Sequence, residues 1–461
     1  MMEEEMTLFE QVSEYLDQKN FSKLREVLAS ENPADLALLF TEFEEKDILL
    51  LYRLLPKELA SDTFSYMDND MKENLINGFS DKELQEVLDQ TFVDDTVDMI
   101  EEMPANVVNR ILRNCDPQSR YAINQILKYP EDSAGALMTI EYVNLTKDLT
   151  VKDAISRIRT VGPDKETIYT CYVTEARKLI GIVSVKDLLI AKDDTHISDI
   201  METNLIFVDT LEDKEVVAHQ FQKYDILALP VVDTEERLVG IITFDDAMDV
   251  IQEENTEDIS IMAAMSPSDD SYFKTGVFAQ VKNRIVWLII LMLSNAITGS
   301  IINRFDTVIS ALPILVSFMP MLTGTGGNCG SQSSALMIRG LALGEIRTRD
   351  FLRVMWKEFR IAIVVSAILA VINGLRIMIF YQDPTLAIVL TLSIIATVIL
   401  SKLIGCLLPI LAKCVHLDPA VMAGPLISTV VDICTTMIYY SIAVQFFQIS
   451  SVSYTHLTLP T

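Results

Sequence analysis

YVTEARKLIGIVSVKDLL at 172–189 and VVDTEERLVGIITFDDAM at 231–248 are two copies of one pattern, held at a constant offset of 59. Each ends in strand, Gly-x-x-Ser/Thr-x-x-Asp, helix: Gly181, Ser184 and Asp187 in the first, Gly240, Thr243 and Asp246 in the second. Between Ser133 and Ile251 short β-branched runs alternate with helical stretches, so the repeat predicts two small α/β modules side by side.

This repeat resembles a tandem pair of CBS domains, with bounds at about 131–192 and 193–250. In many such pairs the hydroxyl and carboxylate of the motif hold an adenine nucleotide at the strand-to-helix turn. Ser184, Asp187 and Thr243 are therefore candidate nucleotide (ATP) residues, and they are equally suited to capping their own helices. Ile226 stands where a nucleotide-binding relative would stack adenine on an aromatic ring, which favours the capping reading.

On the N-terminal side, from Thr7 to about Lys128, apolar residues recur at three and four, as in Leu24, Val27, Leu28 and Leu84, Val87, Leu88. Breaks fall at Pro33, Pro56, Gly78, Pro104 and Pro117. The expectation is an all-α domain over 1–130, a row of short amphipathic helices forming a superhelix. Its first residues, MMEEEMTLFE, carry no apolar stretch of signal-peptide type, so the first half is expected in the cytosol.

Charge divides the chain. Of 65 Asp and Glu, 58 lie in residues 1–270 against 24 of the 37 Lys and Arg, while residues 271–461 are slightly basic. Such an acidic surface repels nucleic acid and attracts cations. The six cysteines form no CxxC pair and the four histidines are scattered, so neither a disulfide framework nor a soft-metal site is indicated. After the second repeat, Asp246, Asp249, Glu253, Glu254, Glu257 and Asp258 crowd a helix and a half with no lysine before Lys274. Like charges at helical spacing repel unless a cation intervenes, so this stretch is a candidate metal-sensing strip.

The remainder, 276–448, is apolar enough to cross a bilayer, which takes about 20 helical residues per span. Five spans are expected, near 283–303, 308–343 with a break, 361–381, 385–412 and 420–447. Lys274, Lys282 and Arg284, and then Arg347, Arg349, Arg353, Lys357 and Arg360, place both flanking loops inside.

Two features interrupt the apolar character. The run Gly324 to Gln332, GTGGNCGSQ, is poor helix-forming sequence within a span. It is expected either as irregular backbone lining a wet cavity or as a tight helix crossing made by small residues. Asp432 lies near the middle of the last span, where a carboxylate costs about 2.5–3.5 kcal/mol and marks function by default. Lys402 is its one serious partner if the role is only structural.

The order of parts resembles the MgtE family of magnesium channels and transporters: acidic helical domain, CBS pair, acidic connecting helix, then five spans with GTGGNCGSQ in the second and DPA…P…D in the fifth. YPEDSAGALM at 129–138 and ENTEDI at 254–259 add to the likeness. The resemblance implies a homodimer in the cytoplasmic membrane with a pore on its twofold axis, Asp432 of each subunit facing a hydrated Mg²⁺. Gly327, Asn328 and Pro425 would line that pore, Pro425 by freeing a carbonyl. It also implies Mg²⁺ sensing by Asp246, Asp249, Glu254, Glu257 and Asp258, with Asp94, Asp95 and Asp98 opposite, so that abundant internal Mg²⁺ closes the pore through a connecting helix at 251–275.

No nucleophile and base pair or phosphate-cradling loop argues for an enzyme. The alternatives are a transporter for Mn²⁺ or Co²⁺ and a membrane-anchored CBS sensor that conducts nothing. Oxygen-only ligands favour hard ions. The tail 449–461, QISSVSYTHLTLPT from 448 onward, fits none of the expected elements and reads as a non-native remnant.

Overall fold

The computed structural model describes residues 6–268, 272 and 275–447. The chain forms two compact units, Met1–Ile251 and Gln252–Thr461. The expected tail at 449–461 lies outside the described residues, as do 269–271 and 273–274 of the expected connecting segment.

In the first unit, ten helices of eight to ten residues run from Leu8–Asp17 to Pro117–Ile126 among the described residues. Local chemistry sets their ends. Thr7 with Glu10 and Ser80 with Glu83 form reciprocal capping boxes, and Pro33 and Pro117 open helices in whose first turn a missing N–H is harmless. Leu24, Leu28, Leu36, Phe40, Leu51, Phe64 and Ile76 of successive helices merge into one buried cluster. The helix that matters most below is α1, Val93–Glu102, stopped by Pro104 two residues on.

The two repeats fold alike. β1 (Tyr142–Leu145), β2 (Thr167–Glu175) and β3 (Lys178–Ser184) form one sheet in that order; β4 (Val208–Asp209), β5 (Ala228–Val232) and β6 (Leu238–Thr243) form the other. In each the first pair is parallel and the second antiparallel. The motif glycines have one reason: a Cβ on Gly181 would lie 2.6 Å from Met201 Sδ, and one on Gly240 the same distance from Met138 Sδ. Each repeat needs a bare backbone there for a methionine to pack over. The sheets join through Tyr172, Ala228, Leu238 and Ile241.

From β6 the chain enters α2, Phe244–Met262, which crosses the boundary between units. The connecting helix thus begins before the expected 251 and ends well before 275.

The second unit is helical. Its long helices are α3 (Val277–Arg304), α4 (Met319–Ala342), α5 (Phe351–Phe380), α6 (Pro384–Cys414) and α7 (Gly424–Phe447). Among the described residues four segments are long and apolar enough to cross a membrane: Val277–Arg304, Thr348–Phe380, Pro384–Cys414 and Gly424–Phe447. The helix α4 is not among them, since its glycines, serines and Asn328 dilute its hydropathy. Three expectations are corrected. The span placed at 361–381 begins ten residues earlier, so Arg353, Lys357, Glu358 and Arg360 ride on α5 instead of a loop. The helix of the last span starts at Gly424, behind a tight turn at Pro419–Met422. Gly324–Gln332 is no break, for α4 runs through it without interruption.

That last result has a packing cause. A Cβ on Gly326 would stand 2.8 Å from both Thr397 of α6 and Val431 of α7, and one on Gly330 2.7 Å from Ile427 of α7. The glycines are spent on close approach of three helices, and the helix survives their poor propensity because packing offsets it.

Candidate functional site

In the first unit acidic side chains gather where α1 faces the second repeat. Asp94 and Asp95 occupy the first turn of α1, where the positive end of the helix dipole favours them. Asp246 sits in the first turn of α2 and takes hydrogen bonds from the Thr243 hydroxyl and, at 3.2 Å, from the Thr243 N–H. In the first repeat the Ser184 hydroxyl likewise donates to the Asp187 carboxylate, at 2.5 Å, but there it is the hydroxyl that accepts a backbone N–H, that of Asp187 at 3.1 Å. Ser184 therefore caps its helix as expected, while in the second copy it is Asp246 that accepts a backbone N–H.

The electrostatics of the cluster are unfavourable as they stand. Burial first, then Asp246, Asp95, Glu166 and Glu141, push the Asp94 carboxyl well above the usual carboxylate range. Desolvation of its carboxyl and then neighbouring Asp246 raise Asp98 to about 7, although the residue as a whole is exposed. Asp246 rises to about 6, burial leading and Asp245 adding, against the lowering effect of Thr243. Glu166 rises to about 8 through burial and then Asp246 and Asp95. One oxygen each of Asp94 and Glu166 is buried with no hydrogen-bond donor. Lys72 is one nearby cation, its ammonium weakened by burial against the pull of Asp95 and Asp98, and Lys165 is another, acting on Glu141. Ser65 holds Asp95 at 2.9 Å, and Thr139 holds Glu141 at 2.8 Å.

Asp94, Asp95, Asp98 and Asp246 are thus brought together. Asp249, one turn along α2, is raised by burial and by Asp245. Glu254, Glu257 and Asp258 lie on later turns of α2, beyond the first unit, with Glu254 and Asp258 half-buried and Glu257 exposed. Among the described residues no three Asp, Glu, His or Cys side chains already converge as a metal shell. What exists is a charge excess that a divalent ion, directly or through its water, would relieve. Glu166 and Glu141 belong to it and gave no sequence signal, each being one acid among many ahead of a strand.

In the second unit α4 presents two faces. Gly326, Gly330, Ser333 and Ser334 are buried, while Gly324, Asn328 and Gln332 form an exposed stripe at four-residue spacing. Asp432 is half-buried on α7, one residue beyond Val431, which packs on Gly326. Among the described residues no group of the chain donates to its carboxylate; the Thr436 hydroxyl bonds only its backbone oxygen, at 2.7 Å. Gly327 is buried beside Ser428 of α7. Pro425 frees no carbonyl inside a helix, because it lies in the first turn of α7, and its own oxygen accepts from Thr429 at 2.9 Å.

Lys402 does not pair with Asp432. Its partner is Glu358 of α5, at 3.8 Å, with the two side chains 7% and 5% exposed. Glu358, carried by the early start of α5, is therefore a second acidic residue inside the bundle in addition to Asp432. At the end of α2, Ile261 and Met262 pack against Ile338, Ala420 and Ala423, beside the start of α7.

Comparison with known proteins adds a family to this geometry. Residues 319–442 match the model of the MgtE divalent cation transporter, 31–132 that of the MgtE intracellular N domain, and 134–194 and 197–253 the CBS domain. The magnesium transporter MgtE of Thermus thermophilus is 35% identical over 449 residues, 96% of this chain and 98% of the relative. That of Bacillus subtilis is 32% identical over 92% of this chain and 93% of its own. The crystal structure of the cytosolic domain of the Mg²⁺ channel MgtE in complex with ATP matches 52% of this chain at 35% identity and a TM-score of 0.50, with 98% of that chain covered.

Proposed function

This chain belongs to the MgtE family of magnesium transporters, and from that premise we propose how its own residues admit the ion and shut it out. It is a multi-pass membrane protein that transports Mg²⁺, with an intracellular N-terminal half. The observation that carries the proposal is the exposed stripe of Gly324, Asn328 and Gln332 on α4, with Asp432 close by on α7. In a bilayer such groups face either protein or water, never lipid. A second copy of the chain covers them best, so α4 is a fifth span and the stripes of two subunits enclose the path.

In that path Asp432 attracts the ion. Mg²⁺ gives up water reluctantly, so one carboxylate from each subunit and the amide of Asn328 would hold it through its hydration shell, with backbone beside Gly327. Pro425 belongs to the mouth, as the residue that opens α7. An oxygen-only lining disfavours Co²⁺ relative to hard ions. Nothing in this reading requires the chain to be an enzyme.

Closure follows from the acidic surface. Mg²⁺ bound among Asp94, Asp95, Asp98 and Asp246, with Asp249 adjoining, relieves the repulsion that raises these carboxyls. Glu254, Glu257 and Asp258 serve as further ligands on α2. With the charges satisfied, α2 keeps Ile261 and Met262 against Ile338, Ala420 and Ala423 and the path stays shut; without them it is released. The division of labour is then sensing by 1–130 and 131–250, transmission by 251–275 and conduction by 276–448. The ATP complex of the similar cytosolic domain supports a nucleotide on the CBS pair, with Ser184, Asp187 and Thr243 the candidates.

The test is Mg²⁺ flux into liposomes carrying the full chain, wild type against Asp432→Ala, at low and at millimolar internal Mg²⁺. Flux that needs Asp432 and falls as internal Mg²⁺ rises is expected. Unchanged flux in the variant would move the path away from α7.

A further inference from the structure

Three helices meet at one closed polar contact that the proposed path does not use. Ser333 of α4 donates to Glu358 Oε2 of α5 at 2.9 Å and accepts from Lys402 Nζ of α6 at 3.2 Å, while the ammonium stands 3.8 Å from the same carboxylate oxygen. All three are buried, Ser333 fully, Glu358 to 4% exposure and Lys402 to 5%. The hydroxyl's donor is spent on one charge and a lone pair on the other. Nearby Thr397 and Ser401 of α6, equally buried, leave their hydroxyls without partners. The bundle thus satisfies Ser333 on α4 while leaving these two hydroxyls of α6 without partners.

Stability does not explain the arrangement. Two charges taken out of water often gain little over apolar side chains of the same size, and the best-attested use of such a buried pair is to fix register. The register at stake is that of α4. The adjacent residue, Ser334, donates to the Met422 carbonyl at 2.7 Å, two residues before α7 begins. The helix is therefore pinned at consecutive positions, to the α5 and α6 ion pair on one side and to the entrance of α7 on the other. Asn328 lies five residues earlier on the same unbroken helix, about 7.5 Å along its axis. Whatever fixes Ser333 fixes Asn328.

We infer that Glu358 and Lys402 are positioning residues, which through Ser333 hold the polar stripe of α4 in register with Asp432 and thereby set how the path discriminates among divalent ions. This rests on the reading that α4 and Asp432 line the path. Neither residue touches the ion.

The test uses the full chain in liposomes. Glu358→Gln with Lys402→Met removes both charges and leaves neither partner stranded; Ser333→Ala cuts the link alone. Register is read apart from flux by a Gly327→Cys, Ser428→Cys pair. A Cβ at 327 lies 3.5 Å from the Ser428 Cβ, within disulfide reach. In protein shown by gel filtration and melting to be folded, the expected results are cross-linking slowed several-fold and a ratio of Mg²⁺ to Ca²⁺ flux lowered several-fold. The charge-reversed pair, Glu358→Lys with Lys402→Glu, should recover part of both. Cross-linking and flux ratio at the wild-type level in both the double variant and Ser333→Ala would overturn the inference. Should Asp432→Ala leave flux intact in the same assay, it is the path that is misassigned, and the cross-link still reports on the anchor.

Discussion

Gly405 of α6 faces Gly330 of α4 so closely that a Cβ on Gly405 would collide with the Gly330 carbonyl oxygen, its carbon and its Cα. Backbone meets backbone there, and no flexible side chain can yield.

Gly405→Ala must therefore separate α4 from α6 or strain one of them, and overpacking of this kind costs about 1–3 kcal/mol. Gly324→Ala is the control, because nothing lies within 4 Å of its added methyl and a helix gains about 1 kcal/mol from the exchange. The expected outcome is a melting temperature in detergent several degrees lower for Gly405→Ala, and unchanged or higher for Gly324→Ala. Equal melting of the two would mean that the crossing is looser than described.

The cytosolic unit should respond to pH with a defined sign. Asp246, Asp98 and Glu166 have pKa values raised on folding to about 6, 7 and 8. Raised carboxyls bind protons more tightly in the folded state, so their stabilising effect is complete below roughly pH 4 and is lost as pH climbs through the folded values. Without divalent ions, protection of α1 against hydrogen exchange should fall between pH 5 and pH 8. Millimolar Mg²⁺ should flatten that slope and release protons on binding near pH 7. A flat profile in chelator would show that the carboxyls are not coupled.

Asp94→Asn separates charge from shape. The carboxylate is buried with one oxygen lacking a donor, in the middle of like charges. Neutralising it should raise the melting temperature of the metal-free protein while shrinking the upward shift that Mg²⁺ produces. Loss of stability in chelator would instead indicate that Asp94 accepts a bond needed by the fold.

What the sequence disclosed and what it hid differ by physical kind. The repeat at 172–189 and 231–248 was legible because strand, turn and cap chemistry are local, and the paired Gly181 and Gly240 marked the same methionine contact twice. The acids of α1 and α2 were legible as charge excess. The glycines from Gly324 to Gly330 were visible as an anomaly, yet helix propensity could not decide between a break and a close crossing, since the answer lies in Thr397, Ile427 and Val431 on other helices. Glu358 was hidden for a related reason. Among five basic residues it reads as part of a solvated loop, and only the early start of α5 carries it into the bundle to meet Lys402.

Ser334 offers the last test, because it joins the part of the bundle that α2 leans on to the helix that bears the polar stripe. Its hydroxyl donates to the Met422 carbonyl at 2.7 Å, and Ala420 and Ala423, on either side of Met422, carry the contact with Ile261 and Met262. Ser334→Ala removes one bond worth about 0.5–1.5 kcal/mol and leaves a carbonyl beside the start of α7 unsatisfied. Asp432 is untouched, so the flux at low internal Mg²⁺ should be near wild type. A displacement of α2 would then reach α4 less completely, and the internal Mg²⁺ concentration that halves the flux should change by a few-fold. The measurement is a titration of internal Mg²⁺ against flux in liposomes. A curve coincident with wild type would mean that closure acts on α7 directly, without passing through α4.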